Sequence, residues 1–307
     1  MKNERYYFYK AYGLAIKSEI KFSELFALDS ESDSFDIHIS VGKVPEKQSI
    51  IGFQKPISAY NDYQYWQEIP AIGRYFVANG KEIIIEPITK NWDDVRLFLI
   101  TNIFYPLLFQ RNQLPLLASG IINKNGEAVL FSAPFLTGKT TLLLQFLKKG
   151  YLPYTDQGCT FEIENKEKIQ LNPSFPLIVC LKESVFNLGL NKTLKYNELR
   201  ANINKLGILF SGNYFSNSIQ LKAIVILKET SVSSTLNISK LNPQEAFMAL
   251  HECHPRPEWI DKQHKNIENF KLLSSLSKQI SVYKAERPYQ KETNDTFVNM
   301  IEREIFL

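Results

Sequence analysis

The stretch that decides the fold reads Val129-Leu130-Phe131-Ser132-Ala133-Pro134-Phe135-Leu136-Thr137-Gly138-Lys139-Thr140-Thr141-Leu142-Leu143-Leu144-Gln145-Phe146. An apolar run ends, a turn follows, Gly-Lys-Thr comes next, and a second apolar run begins. The first run has the length of a strand and the second that of a helix. Lys148, Lys149 and Gly150 mark the helix end, where cations and glycine are both favoured. A strand, a turn and a helix in this order wrap backbone N–H groups around an anion at the positive end of the helix. The reading is a phosphate-binding loop in which Ala133, Thr137, Gly138, Lys139, Thr140 and Thr141 hold a nucleotide. Lys139 would reach the outer phosphates, and the Thr140 hydroxyl would ligate Mg²⁺. Measured against G-x-x-x-x-G-K-[ST], the first position is Ala133 and not glycine. An ordinary strand-turn-helix with an accidental Gly-Lys-Thr is the competing reading.

Just downstream lies Gly150-Tyr-Leu-Pro-Tyr-Thr155-Asp156-Gln157, with an apolar strand after it. Asp156 at the end of such a segment would hold Mg²⁺ or accept a proton from an attacking hydroxyl. A turn aspartate beside Gly158 fits the spacing equally well. Upstream, Leu116 to Ile122 and Glu127 to Ser132 read as strands joined at Asn125-Gly126. Later strands are expected at Gly158 to Glu164 and Ile219 to Leu227. Helices are expected at Pro243 to His251 and Lys262 to Gln279. The Asn- and Ser-rich segment Asn202 to Ser218 reads as a mobile loop.

Residues 1–92 form the expected β-rich N-terminal module. Asp36 to Val41 alternates with period two, as a half-buried strand does. Tyr75 to Ala78, Asn79-Gly80 and Lys81 to Ile85 read as a hairpin, since Asn-Gly tolerates positive φ at both turn positions. The aromatic residues of Tyr60-Asn-Asp-Tyr-Gln-Tyr-Trp66 would offer a stacking surface for bases, but β propensity alone accounts for them. Asp93 or Asp94 should then cap a helix running to about Arg111. It is apolar nearly all round, so it should be buried, with a kink at Pro106. Residues 93–307 form the expected α/β domain.

The whole chain has 307 residues, enough for about two domains. Its 36 basic and 32 acidic residues give a net charge of +4, too mild to mark a nucleic-acid binder. Cys159, Cys180 and Cys253 lie far apart and form no disulfide framework, which points to a reducing, cytoplasmic setting. Neither a signal peptide nor a membrane-spanning run is evident. His251-Glu-Cys253-His254 lacks a second cluster to complete a zinc site. In His254-Pro-Arg256-Pro, a rigid arginine near a helix end would contact a phosphate or the acceptor. No Ser or Cys has an evident His partner for a hydrolase triad.

The sequence resembles the HPr kinase/phosphorylase-related proteins, in particular the peptide serine kinases associated with lasso-peptide and other ribosomal-peptide biosynthesis. The likeness runs from Tyr9 to about Leu250. It rests on Tyr9 to Ile20, Leu114-Pro-Leu-Leu-Ala-Ser119, Gly138-Lys139-Thr140, Thr155-Asp156, Leu171-Asn-Pro-Ser-Phe-Pro176 and Leu241-Asn-Pro-Gln-Glu-Ala246. It implies a P-loop kinase domain of the HPr kinase/PEP-carboxykinase type, preceded by a smaller β-rich module. It also implies Mg-ATP as donor and a seryl hydroxyl of a peptide or small protein as acceptor. By motif, Lys139 and Asp156 would be catalytic, with Thr140 and Asp156 on the metal. Four positions depart from the family pattern. Leu117 stands where the family usually has His. Ala133 and Leu136 replace loop glycines. Gln157 replaces a second Asp, which would leave an uncharged amide oxygen as metal ligand. These departures motivate a second reading, a catalytically weakened nucleotide-binding scaffold in the same pathway. Transfer of a nucleotidyl group is a third. Family members assemble into rings, so a homo-oligomer stays open, and residues 258–307 fit the family least well.

Overall fold

The structure is a computed structural model that describes residues 5–28, 34–134, 137–164, 168–199, 204–210, 218–255, 266–289 and 294–306. Phe135, Leu136 and Arg256, singled out above, lie outside the described residues, as do 202–203 and 211–217 of the expected loop. The chain divides into two compact units, one built on Met1–Gln113 and one on Leu114–Glu198 with Asn204–Leu307.

In the first unit the described strands are β1 (Tyr7–Ala11), β2 (Leu14–Ser18), β3 (Phe26–Ala27), β4 (Ile37–Val41), β5 (Phe53–Lys55), β6 (Ser58–Tyr60), β7 (Gln64–Ile69), β8 (Gly73–Ala78) and β9 (Glu82–Pro87). They form one sheet in the order β3-β1-β2-β4-β9-β8-β7-β6-β5. Alternation does its expected work in β2, where Leu14, Ile16 and Ser18 are buried, and in β4 at Ile37 and Ile39, while Val41 at the strand end is exposed. The β8–β9 hairpin turns at Asn79 (φ 53°) and Gly80 (φ 63°), as read from the sequence. Its register pairs Ala78 with Glu82, so Lys81 is a third loop residue. Trp66 packs with Val44, Ile50, Ala59, Phe76 and Ala78, which places it in a core and not on a stacking surface.

The apolar helix after β9 departs from expectation in two ways. Its cap is Asn91, whose side chain accepts from the Asp93 N–H, and not Asp93 or Asp94. It is also not one α-helix. α1 (Trp92–Phe98) and α2 (Phe104–Gln110) flank a π-helical segment, Leu99–Ile103. Pro106 lacks an N–H and its ring crowds the carbonyl four residues back, so the preceding turn widens. The expected boundary at 92/93 would assign this helix to the second part, whereas the compact units divide after Gln113. Its bonds explain the grouping: Tyr75 Oη donates to the Val95 carbonyl (3.0 Å), and Arg111 pairs with Asp36 (2.9 Å).

The second unit carries β10 (Ala118–Ile122), β11 (Ala128–Ser132), α3 (Lys139–Lys148), β12 (Leu152–Thr155), β13 (Cys159–Glu164), β14 (Lys168–Pro173), β15 (Leu177–Leu181), α4 (Lys182–Asn187), β16 (Asn197–Glu198), β17 (Lys205–Leu209), β18 (Ile219–Thr230), β19 (Asn237–Lys240), α5 (Pro243–Glu252) and β20 (Ser281–Pro288). Helices Asn266–Gln279 and Asn294–Ile301 lie on either side of β20 in the chain. β18 is the spine of the main sheet. β11 and β20 both pair with it in parallel, and β14 pairs antiparallel with its first residues. β15, β17 and β16 form a separate antiparallel sheet. Thus residues 205–209 of the expected loop are strand. α3 buries Leu142, Leu143, Leu144 and Phe146, and Phe146 stacks on Phe131 of β11 with ring centroids 5.1 Å apart. Its end has the Schellman pattern, with Gly150 N–H on the Leu147 carbonyl and Tyr151 N–H on that of Phe146. Among the described residues no helix is long and apolar enough to cross a membrane.

Candidate functional site

β11 ends at Ser132 and delivers the loop, and α3 begins at Lys139. Between them Gly138 adopts φ 82° and ψ 17°, a left-handed conformation that an L-residue reaches only with strain. Gly138 has no side chain to cap α3. The first N–H groups of a helix have no partner inside it, so this turn presents donors at the positive end of the dipole.

Lys139 folds over the loop. Its Nζ donates to the carbonyls of Ala133 and Pro134, each at 2.9 Å. Burial lowers its pKa below the ordinary lysine value, while Cys253 and Asp156 pull it back up. Thr137 Oγ1 donates to the Pro134 carbonyl at 2.6 Å and tightens the same turn.

Asp156 follows β12, which runs antiparallel to β10 as β11 does, so its end comes to the edge where the loop lies. The carboxylate is fully buried and takes four donors. Oδ1 accepts from Ser119 Oγ (2.5 Å) and Thr140 Oγ1 (3.0 Å). Oδ2 accepts from Gln157 Nε2 (2.8 Å) and the Val179 N–H (3.0 Å). Four donors match the lone pairs of an ionised carboxylate, which removes most of the penalty of burying it. Gln157 itself sits at φ 69°, a strained position for a residue with a Cβ, and from there its amide nitrogen meets Asp156.

One cavity of about 290 Å³ brings together Thr137, Gly138, Lys139, Thr140, Thr141, Asp156 and Gln157. Of the residues expected to bind nucleotide, Ala133 alone is absent from its lining, being buried beneath the loop. Leu117 contributes an apolar wall where the family pattern has His. Sequence reasoning missed Ser119, Val179, Lys205 and Arg287. Ser119 and Val179 hold Asp156 in place, and Lys205 and Arg287 add two cations to the lining. Ser119 closes the Leu114–Ser119 stretch without a role being assigned to it there, and no local motif marks Val179, Lys205 or Arg287, which strand register brings to the site. Conversely, His254 donates from Nδ1 to the Pro115 carbonyl at 2.5 Å. Among the described residues no group of three or more His, Cys, Asp or Glu is placed to hold a metal ion.

No family model and no curated protein matches this chain. Among solved structures the chain is similar to the Hpr(Ser) kinase/phosphatase from Coxiella burnetii. The sequence identity is 11%, the match covers 62% of this chain and 94% of that one, and the TM-score is 0.31. A likeness at that score carries no argument about the site, whose reading rests on its own geometry.

Proposed function

We propose that this chain binds Mg-ATP in the cavity around Lys139 and transfers a phosphoryl group to a seryl hydroxyl of a peptide or small protein. One observation carries the reading: a left-handed Gly138 at the start of α3 places the helix amides, Lys139, Thr140 and the carboxylate of Asp156 around a single cavity. The choice of serine and of a peptide acceptor, including a role in tailoring a ribosomal peptide such as a lasso peptide, comes from the resemblance of the motifs. A cytoplasmic setting is part of the same reading.

In the transfer, the acceptor oxygen would form a bond to the terminal phosphorus. The bond from phosphorus to its bridging oxygen would break, its electron pair leaving with the diphosphate. The acceptor proton would pass to Asp156, and Lys139 with the loop amides would stabilise the charge on the phosphoryl oxygens. For Asp156 to take that proton, one donor must release it. Thr140 is the natural one, since a hydroxyl reorients by turning about a single bond. The oxygen donors also suit Mg²⁺. Thr140 Oγ1 and Asp156 Oδ1 are hard ligands 3.0 Å apart, and Mg²⁺ in such sites is held by one or two protein oxygens with phosphates and water. When bound, the ion would offset phosphate charge. Gln157, also expected as a ligand, engages Asp156 through its nitrogen.

The four donors on Asp156 and the apolar Leu117 favour a second reading, in which the site binds nucleotide as a scaffold without transfer. Mass spectrometry separates the two. The full chain is incubated with Mg-ATP and peptides encoded beside its gene. Gain of one phosphoryl group, lost in Asp156→Asn while ATP binding persists, supports transfer. ATP binding with no mass change supports the scaffold. Failure to bind ATP at millimolar concentration contradicts both.

A further inference from the structure

We propose that Arg287 reads the terminal phosphate of the nucleotide and sets a preference for triphosphate over diphosphate. This rests on the nucleotide-binding reading above and goes beyond it, because Arg287 belongs to no motif around the loop.

Strand register puts Arg287 there. Ser132, the last residue of β11, pairs with Ile226 of β18, and Ile226 pairs with Lys284 of β20. All three strands run parallel, so Arg287 lies three residues beyond the level at which β11 stops. At ~3.3 Å per residue, that is an overhang of about 10 Å past the start of the loop. The side chain then turns onto the loop. A Cβ built on Gly138 would stand 2.6 Å from Arg287 Nη2 and 3.4 Å from Cζ. The guanidinium therefore lies directly against the backbone of the residue before Lys139, and it lines the same cavity as Lys139, Thr140 and Asp156.

The second contact of the guanidinium explains how it is kept ready. Nη2 reaches Glu229 Oε1 at 3.3 Å, across the β18–β20 pair in which Glu229 and Arg287 are register partners. That distance is long for a charge-assisted bond, and the two side chains are 23% and 35% exposed. Such a pair orients the fork yet gives way readily to a stronger anion. A phosphoryl group is that anion, because a planar guanidinium meets two of its oxygens at once. Lys139 and the amides of α3 would hold the outer phosphates, and Arg287, against Gly138 and three residues past the level where β11 stops, would add a second cation at the terminal one. Glu229 is the positioning residue in this scheme.

The test is calorimetric titration of the full chain with ATP and with ADP, each with Mg²⁺. Variants are Arg287→Gln, Arg287→Lys and Lys139→Ala, with folding checked by thermal melting. Arg287→Gln should weaken ATP binding about tenfold, the loss of one charged contact, and change ADP binding less than about twofold. Arg287→Lys, which keeps the charge and strains the fold least, should fall between. Lys139→Ala should weaken both nucleotides. Equal losses for ATP and ADP in the Arg287 variants, or no loss, would overturn the assignment while leaving the nucleotide site intact. If wild type binds neither nucleotide, the parent reading fails and the role of Arg287 fails with it.

Discussion

Gly138 is held to glycine first by its backbone. Its φ of 82° disfavours any side chain, and a Cβ would come within 2.6 Å of Arg287 Nη2, a flexible side-chain end that would have to move aside. The backbone conformation alone costs about 1–2 kcal/mol for an L-residue. Gly138→Ala should therefore lower stability by at least that much in chemical denaturation, and a change below about 0.5 kcal/mol would contradict the geometry. The sequence announced Gly138, Lys139 and Thr140 because a phosphate-binding loop is local. Asp156 was legible as an equal choice between a functional and a turn residue, and its four donors resolve its surroundings. The role of Ser119 on Asp156 and the presence of Arg287 at the site were not legible. One meets the site from a neighbouring strand and the other from 149 positions beyond Gly138 in a strand with no motif.

At the scale of elements, patterns that carry their own end signals were read well. α5 begins with a capping box: Asn242 accepts from the Gln244 and Glu245 N–H groups, and Glu245 returns a bond to the Asn242 N–H. Pro243 at the first turn adds to the signal. Asn242→Ala should lower stability by about 1 kcal/mol, read as a shifted denaturation midpoint with an unchanged slope. No shift would mean that packing alone holds α5. Elements without end signals were missed. β15 is a short apolar run that periodicity cannot assign, and β17 sits in a stretch whose Asn and Ser residues read as loop. Among the described residues the strand partner of β15 is β17, and those of β17 are β15 and β16, so pairing decides what composition does not. The π-helical segment was foreseen only as a kink, because proline removes a bond without saying how the turn before it adjusts.

At the scale of the whole molecule, acid should unfold the second unit through His254. This ring is buried, donates from Nδ1 to the Pro115 carbonyl, and among the described residues has no hydrogen-bond partner at Nε2. Burial lowers its pKa to about 4 from 6.5, the Pro115 bond opposes the shift, and His251 adds to it. The unfolded chain thus takes up the proton first. The stability is present above about pH 6.5 and is lost as pH falls toward 4. The loss is on the order of 3 kcal/mol. Denaturation midpoints at a series of pH values should fall over that window, and His254→Gln should flatten the fall. An equal slope in the variant would assign the acid sensitivity to other groups. The account as a whole depends on the turn before α3 holding a polyphosphate. Calorimetric titration of the full chain with Mg-ATP tests this most directly. The expected result is saturable binding at one site that Lys139→Ala weakens more than about tenfold, as loss of a charged contact requires. Binding that fails to saturate by millimolar ATP, or that ignores Lys139→Ala, would contradict it.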